Sequence, residues 1–445
     1  VPDSRKRLAD IAFVLALMLY VLHGTAQVPP HADEYMQIAA ARDFFLLREQ
    51  GAAALAFAPP VEVDTLQYLR LLNGTLHKNL VGMLWAASGR TQEELPNIYA
   101  WAMPLSWNIA NGNVPSQDQL HLARWASATL TALGVVPMFM LGWHLRLRAV
   151  AYPAALLYAL HPVILLNGRR AMLEGSLIFF SLLSMYWLVA LIVAEHSATA
   201  RSFVVKLPAL ARYGVLGILL GLTVASKHSG AIVTAAVLGA AFVTGTVRDS
   251  PPRPLRALSW VAFTGIVSVL TWFALSPHFW NAPLGALRAL LAARSELLAL
   301  QASDSTLAYR SLGERLVAIL TQPFLSAPQY FEAPNWAGLL DDQIAAYQRS
   351  AANGWDWGAP IGLLLTASAL FGALNMVAEA WRRNLIAWAI LAWAGAAVLA
   401  SIAVPMNWQR YYLPLTLVSI VFAAEGIGRL LVRREANSGE AKSLT

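Results

Sequence analysis

Two adjacent carboxylates, Asp33 and Glu34, follow the turn Pro29-Pro30-His31 just after the first hydrophobic segment. Carboxylates beside a bilayer lose hydration, so a chain keeps them there for a helix cap, a buried partner or chemistry. A carboxylate so placed can take the proton of an incoming hydroxyl. The plainer reading is that Asp33 N-caps the following helix, with both acids favoured by its dipole. Cations recur at the ends of other hydrophobic segments. Arg169 and Arg170 are followed a turn later by Glu174; Lys227 and His228 occupy a short turn; Arg410 and Tyr411 head the last segment. His77 and Lys78 lie in the same loop as the two acids. Arginine holds a phosphate with two parallel hydrogen bonds, and lysine holds it as a point charge.

Each of these has a plain alternative. Arg170 and Glu174 are an i,i+4 pair, and Arg410, flanked by Trp408, Tyr411 and Tyr412, is placed to snorkel within an aromatic belt. Lys227 interrupts an apolar hairpin, where a short turn has no need of a cation. As a set, a base and several cations are what transfer from a phosphate-linked donor requires, since positioning and charge stabilisation carry most of that reaction. The absence of cysteine excludes disulfides, thiolate catalysis and thiolate-held metal. A divalent metal ion stays open as a cofactor: Asp33, Glu34, His31 and His77 offer oxygen and nitrogen donors, but at no diagnostic spacing.

The elements that must position these groups are membrane helices. Of 445 residues, 58% are hydrophobic and 13% charged, where soluble domains carry about 25% charge. The periodicity predicts an all-α polytopic membrane protein of about ten spans. They are placed near Leu8–Val28, Leu122–Leu145, Ala149–Asn167, Ala171–Ala194, Tyr213–Ser226, Ala231–Val247, Ala257–Pro277, Ala359–Ala380, Leu385–Val404 and Tyr411–Leu431. The first is read as a retained helix rather than a cleaved signal peptide, because it extends to membrane length. Residues 1–432 then form one membrane domain, with large loops at about 29–121 and 278–358, and 433–445 form a polar cytoplasmic tail. The first loop is expected to hold amphipathic helices over Asp33–Gln50 and Thr65–Ser88, and the second over Leu284–Leu300 and Leu312–Leu320. Trp85, Trp101 and Trp107 suggest segments lying in the membrane interface.

The net charge of +7 is a topology signal and not a nucleic-acid patch. Arg5-Lys6-Arg7, Arg146, Arg148, Arg212, Arg253, Arg256, Arg382, Arg383 and Arg429 fall in short connections on one side, where the positive-inside rule applies. Both termini are therefore expected in the cytoplasm, and both large loops, with the acids and most of the cations above, outside it.

In order along the chain, His31-Ala32-Asp33-Glu34-Tyr35, Gly74-Thr75-Leu76-His77-Lys78-Asn79-Leu80, Asn167-Gly168-Arg169-Arg170-Ala171-Met172-Leu173-Glu174, Gly221 to Gly230 around Lys227-His228, and Arg410-Tyr411-Tyr412-Leu413-Pro414 resemble the GT-C glycosyltransferase superfamily. Within it, the motifs resemble those of protein O-mannosyltransferases and bacterial aminoarabinose lipid A transferases. The resemblance implies a mannosyltransferase-like enzyme that moves a hexose or pentose, with inversion, from a polyprenyl-phosphate donor to an extracytoplasmic protein, lipid or glycan. It implies Asp33 as base with Glu34 beside it, and His77, Lys78, Arg169, Arg170, Glu174, Lys227, His228, Arg410 and Tyr411 as substrate-binding residues. Two positions depart from the pattern. The usual His-Pro-Pro reads His77-Lys78-Asn79, and the acid after the arginine turn is Glu174 rather than Asp. The competing reading is a transporter or flippase of lipid-linked sugars or other anions, but that predicts midplane charges in two related halves, and here the charges gather at one face.

Overall fold

The computed structural model describes residues 4–63, 65–196, 206–248, 251–304, 306–355 and 357–443. Twenty α-helices follow one another in this part of the chain. They are α1 Ser4–His23, α2 Ala32–Ala40, α3 Arg42–Gln50, α4 Leu66–Leu72, α5 Thr75–Ala87, α6 Leu105–Ala110, α7 Gln117–Leu133, α8 Val135–Arg146, α9 Arg148–Leu160, α10 Pro162–Arg169, α11 Glu174–His196, α12 Ala209–Ser226, α13 Gly230–Arg248, α14 Pro254–Ala274, α15 Pro283–Ser303, α16 Leu312–Thr321, α17 Asp341–Arg349, α18 Gly358–Trp381, α19 Leu385–Ala403 and α20 Leu413–Ser443. The tail expected from residue 433 continues the backbone of α20 to Ser443, and Leu444 and Thr445 lie outside the described residues.

Eight helical stretches, with α7 and α8 together making one of 30 residues, are long and apolar enough to cross a membrane, and α9 with α10 makes nine if that bent pair is one span. The ten read from sequence included α1. This helix packs against α7 and α9, but Arg5, Lys6, Arg7 and Asp10 crowd its first two turns. The expected straight span over Ala149–Asn167 is bent by 57° at His161-Pro162. Proline supplies no amide there and pushes the preceding residue out of the helical region, and His161 is extended (φ −70°, ψ 115°).

The two long connections, between α1 and α7 and between α14 and α18, lie on one face. The expected helix over Asp33–Gln50 is two helices, α2 and α3, meeting at Ala41, and the one over Thr65–Ser88 is also two, α4 and α5, separated at Asn73-Gly74. Gly74 is needed there for close approach: a Cβ would sit on the carbonyl oxygens of Ala225 and Ser226, at the end of α12. Gly372 plays the same part deeper in the bundle, where α18 lies against the Phe422 carbonyl of α20. Small residues at such crossings let helices pack by close backbone contact, which is what holds helices together within lipid.

On the opposite face the helix ends are tied by ions. Arg148 binds Asp10 through two hydrogen bonds of 2.9 and 2.6 Å, and Arg146 and Arg429 each reach Glu425 at 2.8 Å. The scaffold is thus anchored at one face and carries its loops on the other.

Candidate active site

The two neighbouring acids part company at the start of α2. The N-cap is His31, not Asp33: its Nδ1 accepts the Asp33 amide at 3.1 Å, and its own amide donates to Glu34 at 3.0 Å. Glu34 turns inward and is fully buried. Arg124 of α7 grips it with Nε and Nη2, at 2.8 and 3.0 Å, and the Ala171 amide adds a bond at 2.8 Å. Each Glu34 oxygen therefore accepts two hydrogen bonds and has no free acceptor position. Asp33, one residue earlier, keeps 27% of its side chain exposed.

Asp33 is ion-paired with Arg410. Nε of the same guanidinium lies 3.2 Å from Oε1 of Glu332 in the second loop, and Oε2 of Glu332 is 2.6 Å from His31 Nε2. Because His31 Nδ1 accepts a backbone amide, the ring proton sits on Nε2 and is donated to Glu332. His31, Asp33, Arg410 and Glu332 thus close a ring of four groups drawn from three segments. Burial pushes the Asp33 carboxyl up, but Arg410 and His31 more than offset this and hold it below its usual range, while Glu332 works in the upward direction. Glu332 is likewise held well below the usual range by Arg410 and His31, against the effect of burial.

Beside this ring, Lys227 donates to Glu174 at 2.6 Å and stands 5.3 Å from the centre of the Tyr411 ring. Tyr411 stacks on Trp408 with centroids 5.5 Å apart, and Arg410 lies 5.0 Å over Trp408. The short turn Gln409–Tyr412, which leads into α20, therefore presents one aromatic surface between two cations.

Other nominated residues lie elsewhere. Arg169 donates to the Tyr20 and Val21 carbonyls at 2.9 and 2.7 Å and to Tyr347 Oη at 3.0 Å. It thereby satisfies carbonyls that the end of α1 leaves open. Arg170 donates to the Pro29 and Tyr330 carbonyls at 3.1 and 2.7 Å, joining the two loops behind the site. Both arginines are buried staples.

Lys78 belongs to a second buried cluster, where it and Arg70 pair with Asp43 at 2.6 and 2.7 Å. His228 and His278 share its electrostatic surroundings, together with Arg294 at His228. Burial, aided by these cations, drives His228 down to about 4 and His278 to about 3. His77 is also buried; desolvation lowers it to about 4, while the Ala171 backbone works in the upward direction.

Sequence reasoning missed Glu332, Arg124, Asp43, Arg70, His278 and Arg294, and it weighed His31 only as a metal donor. The one local signal for Glu332 is an acid set beside Tyr330-Phe331 in the second loop. Among the described residues no three His, Asp or Glu side chains converge as a metal-binding set. Arg410 stands between the carboxylates of Asp33 and Glu332 that such a set would use.

Residues 67–249 match the family model described as dolichyl-phosphate-mannose-protein mannosyltransferase. No curated protein matches the chain. Among solved structures the chain is similar to the archaeal oligosaccharyltransferase AglB from Archaeoglobus fulgidus, in complex with an inhibitory peptide and a dolichol-phosphate. The TM-score is 0.57 at 15% identity, over 99% of this chain and 52% of that one. The chain therefore spans about half the length of that relative. Weaker likenesses are to two others. One is the S. cerevisiae protein O-mannosyltransferase Pmt1-Pmt2 complex bound to the sugar donor (TM-score 0.44, 17% identity, 64% of this chain and 35% of that one). The other is ArnT from Cupriavidus metallidurans bound to undecaprenyl phosphate (TM-score 0.40, 15% identity, 95% and 78%). The chain thus shares its fold with about half of that oligosaccharyltransferase, and residues 67–249 match the model of the dolichyl-phosphate-mannose-protein mannosyltransferases.

Proposed function

We propose that this protein is a membrane glycosyltransferase that moves a sugar from a polyprenyl-phosphate donor to an acceptor hydroxyl on a protein, lipid or glycan. The observation that carries the reading is the division of labour between neighbouring acids. Glu34 is saturated by Arg124 and backbone amides, while Asp33 stays partly open beside two cations and an aromatic surface. In the proposed reaction the acceptor oxygen attacks the anomeric carbon as its proton passes to Asp33. The bond from that carbon to the phosphate oxygen breaks, and the polyprenyl phosphate leaves with the electron pair. Attack opposite the leaving group inverts the centre. Arg410 and Lys227 are the groups assigned to the developing phosphate charge. Glu34 is assigned to the scaffold, as are Arg169 and Arg170.

His228 follows Lys227 directly, so a run of basic groups leads from Lys227 into the buried cluster of Lys78 and Arg70 around Asp43, with Arg294 near His228. We assign that stretch, with its unpartnered His228 and His278 nitrogens, to the donor headgroup. No metal is assigned: among the described residues no three His, Asp or Glu side chains converge, and Arg410 lies between the Asp33 and Glu332 carboxylates. The Lys and Arg asymmetry supports cytoplasmic termini and a site on the far side of the membrane.

The test is mass spectrometry of lipid-linked sugars and glycoconjugates in cells with and without the protein. Loss of one glycoconjugate with build-up of its polyprenyl-phosphate sugar is the expected result. Unchanged pools of both would end the proposal.

A further inference from the structure

The second loop reaches the site through one short strap, and every residue from Gln329 to Glu332 is engaged there. Gln329 and Gln409 clasp each other: the Gln329 amide donates to the Gln409 side-chain oxygen at 2.8 Å, and the Gln409 amide returns a bond at 2.9 Å. The Tyr330 carbonyl is held by Arg170 at 2.7 Å, and Phe331 packs against the first-loop core around Tyr35 and Trp336. Glu332 then ends the strap between His31 and Arg410. The strap so fixed delivers one carboxylate to one guanidinium.

A guanidinium carries a single charge. Facing Asp33 alone, Arg410 would be free to grip its carboxylate with both edges, and a carboxylate so held is a weak base. With Glu332 on its Nε edge, Arg410 meets Asp33 through one terminal nitrogen. We propose that Glu332 is a positioning residue of the transfer reaction: by sharing Arg410 with Asp33, and by fixing His31 beneath the Asp33 amide, it keeps Asp33 oriented and basic enough to take the acceptor proton. The proposal rests on the glycosyltransferase reading above and adds the residue through which the second loop completes the site. The charged or titratable groups around Asp33 are His31 at the head of its own helix, Arg410 at the start of α20, Glu332 on the strap, and Glu174 with Lys227 across the site. Arg170 and the Glu34–Arg124 pair lie behind.

The experiment measures kcat/KM against pH for the purified full-length protein with a polyprenyl-phosphate sugar, alongside thermal unfolding. Turnover by the unaltered protein establishes the reading itself, so failure of the further proposal is seen separately. Removing the negative charge in Glu332→Gln leaves Arg410 wholly to Asp33. The acid limb should move to lower pH by about one unit, with a plateau lower by about 10–100-fold. Glu332→Asp restores the charge and should return the limb toward its original place. A purely structural Glu332 would lower the plateau or the unfolding temperature with the limb unmoved, and that result overturns the proposal. If Glu332→Gln does not fold, Gln329→Ala loosens the strap without altering any charge. It should shift the limb the same way by less, and an unmoved limb there overturns the proposal equally.

Discussion

On α2 the side chains of Asp33 and Glu34 leave the helix about 100° apart, and that angle separates their roles. Asp33→Asn keeps the size of the side chain but cannot take a proton. The expected outcome is a folded protein that binds donor and loses transfer by about 10²–10⁴-fold, checked by turnover and thermal unfolding on the same sample. Glu34→Gln should behave in the opposite way. It strands the buried Arg124 guanidinium, which already holds Glu34 through two bonds. Breaking one partner of such a pair costs about 3–5 kcal/mol, to be seen as a large drop in unfolding temperature. At Lys227, replacement by Ala should weaken donor binding by about 1.5–3 kcal/mol, as for loss of a hydrogen bond to a charged group. Donor titration measures it, and an unchanged affinity would remove Lys227 from the phosphate site.

The element that decides the shape of the site is α5. Its start is pressed against the end of α12 at Gly74, and its first turn carries His77 and Lys78 into buried surroundings. Gly74→Ala should push α5 off the Ala225 and Ser226 carbonyls and lower both stability and activity, a joint loss that unfolding and turnover would register together. The histidines around this helix give the packing a pH signature. His77 and His228 are held neutral down to about 4 and His278 to about 3, by burial first and by neighbouring cations at the last two. In the unfolded chain each takes a proton near 6.5, so below that value the unfolded state binds more protons. The contribution of these groups is present above about 6.5 and is lost as pH falls toward 4. The unfolding temperature in detergent should therefore decline across that window. Replacing the three histidines by Gln should flatten the decline, whereas an unchanged slope would show that other groups control it.

For the whole molecule, the decisive property is which side of the membrane the two loops occupy. The helices place them on one face, with the Arg146–Glu425–Arg429 ties on the other, and we propose from the positive-inside rule that the tied face is the cytoplasmic one. Since the chain has no cysteine, single cysteines report side without a background. Ser116→Cys, at the start of α7 next to the first loop, should be labelled from outside intact cells by an impermeant reagent. Arg382→Cys, at the end of α18, should be labelled only after the membrane is opened. The reverse pattern would sink the orientation and the extracytoplasmic site with it.

Sequence alone was sufficient for the helical membrane class, most span positions, the long connections and the nomination of Asp33, Lys227 and Arg410. Those features are local: apolar length, charge asymmetry between connections, and ionisable groups where hydration is poor. It was not sufficient for the breaks at Ala41 and Pro162, which depend on how each helix meets its neighbours, nor for the count of spans. It separated Asp33, as base, from Glu34 beside it, but could not give Glu34 its partner, because adjacency carries no information on which side chain meets Arg124. The deepest omission was Glu332, which lies 301 residues from His31, as Arg410 lies 377 from Asp33. Nothing in a local pattern ties such positions together. Only the tertiary structure brings the Gln409–Tyr412 turn and the clasped strap to the head of α2, where three segments meet and a single guanidinium is divided between two acids.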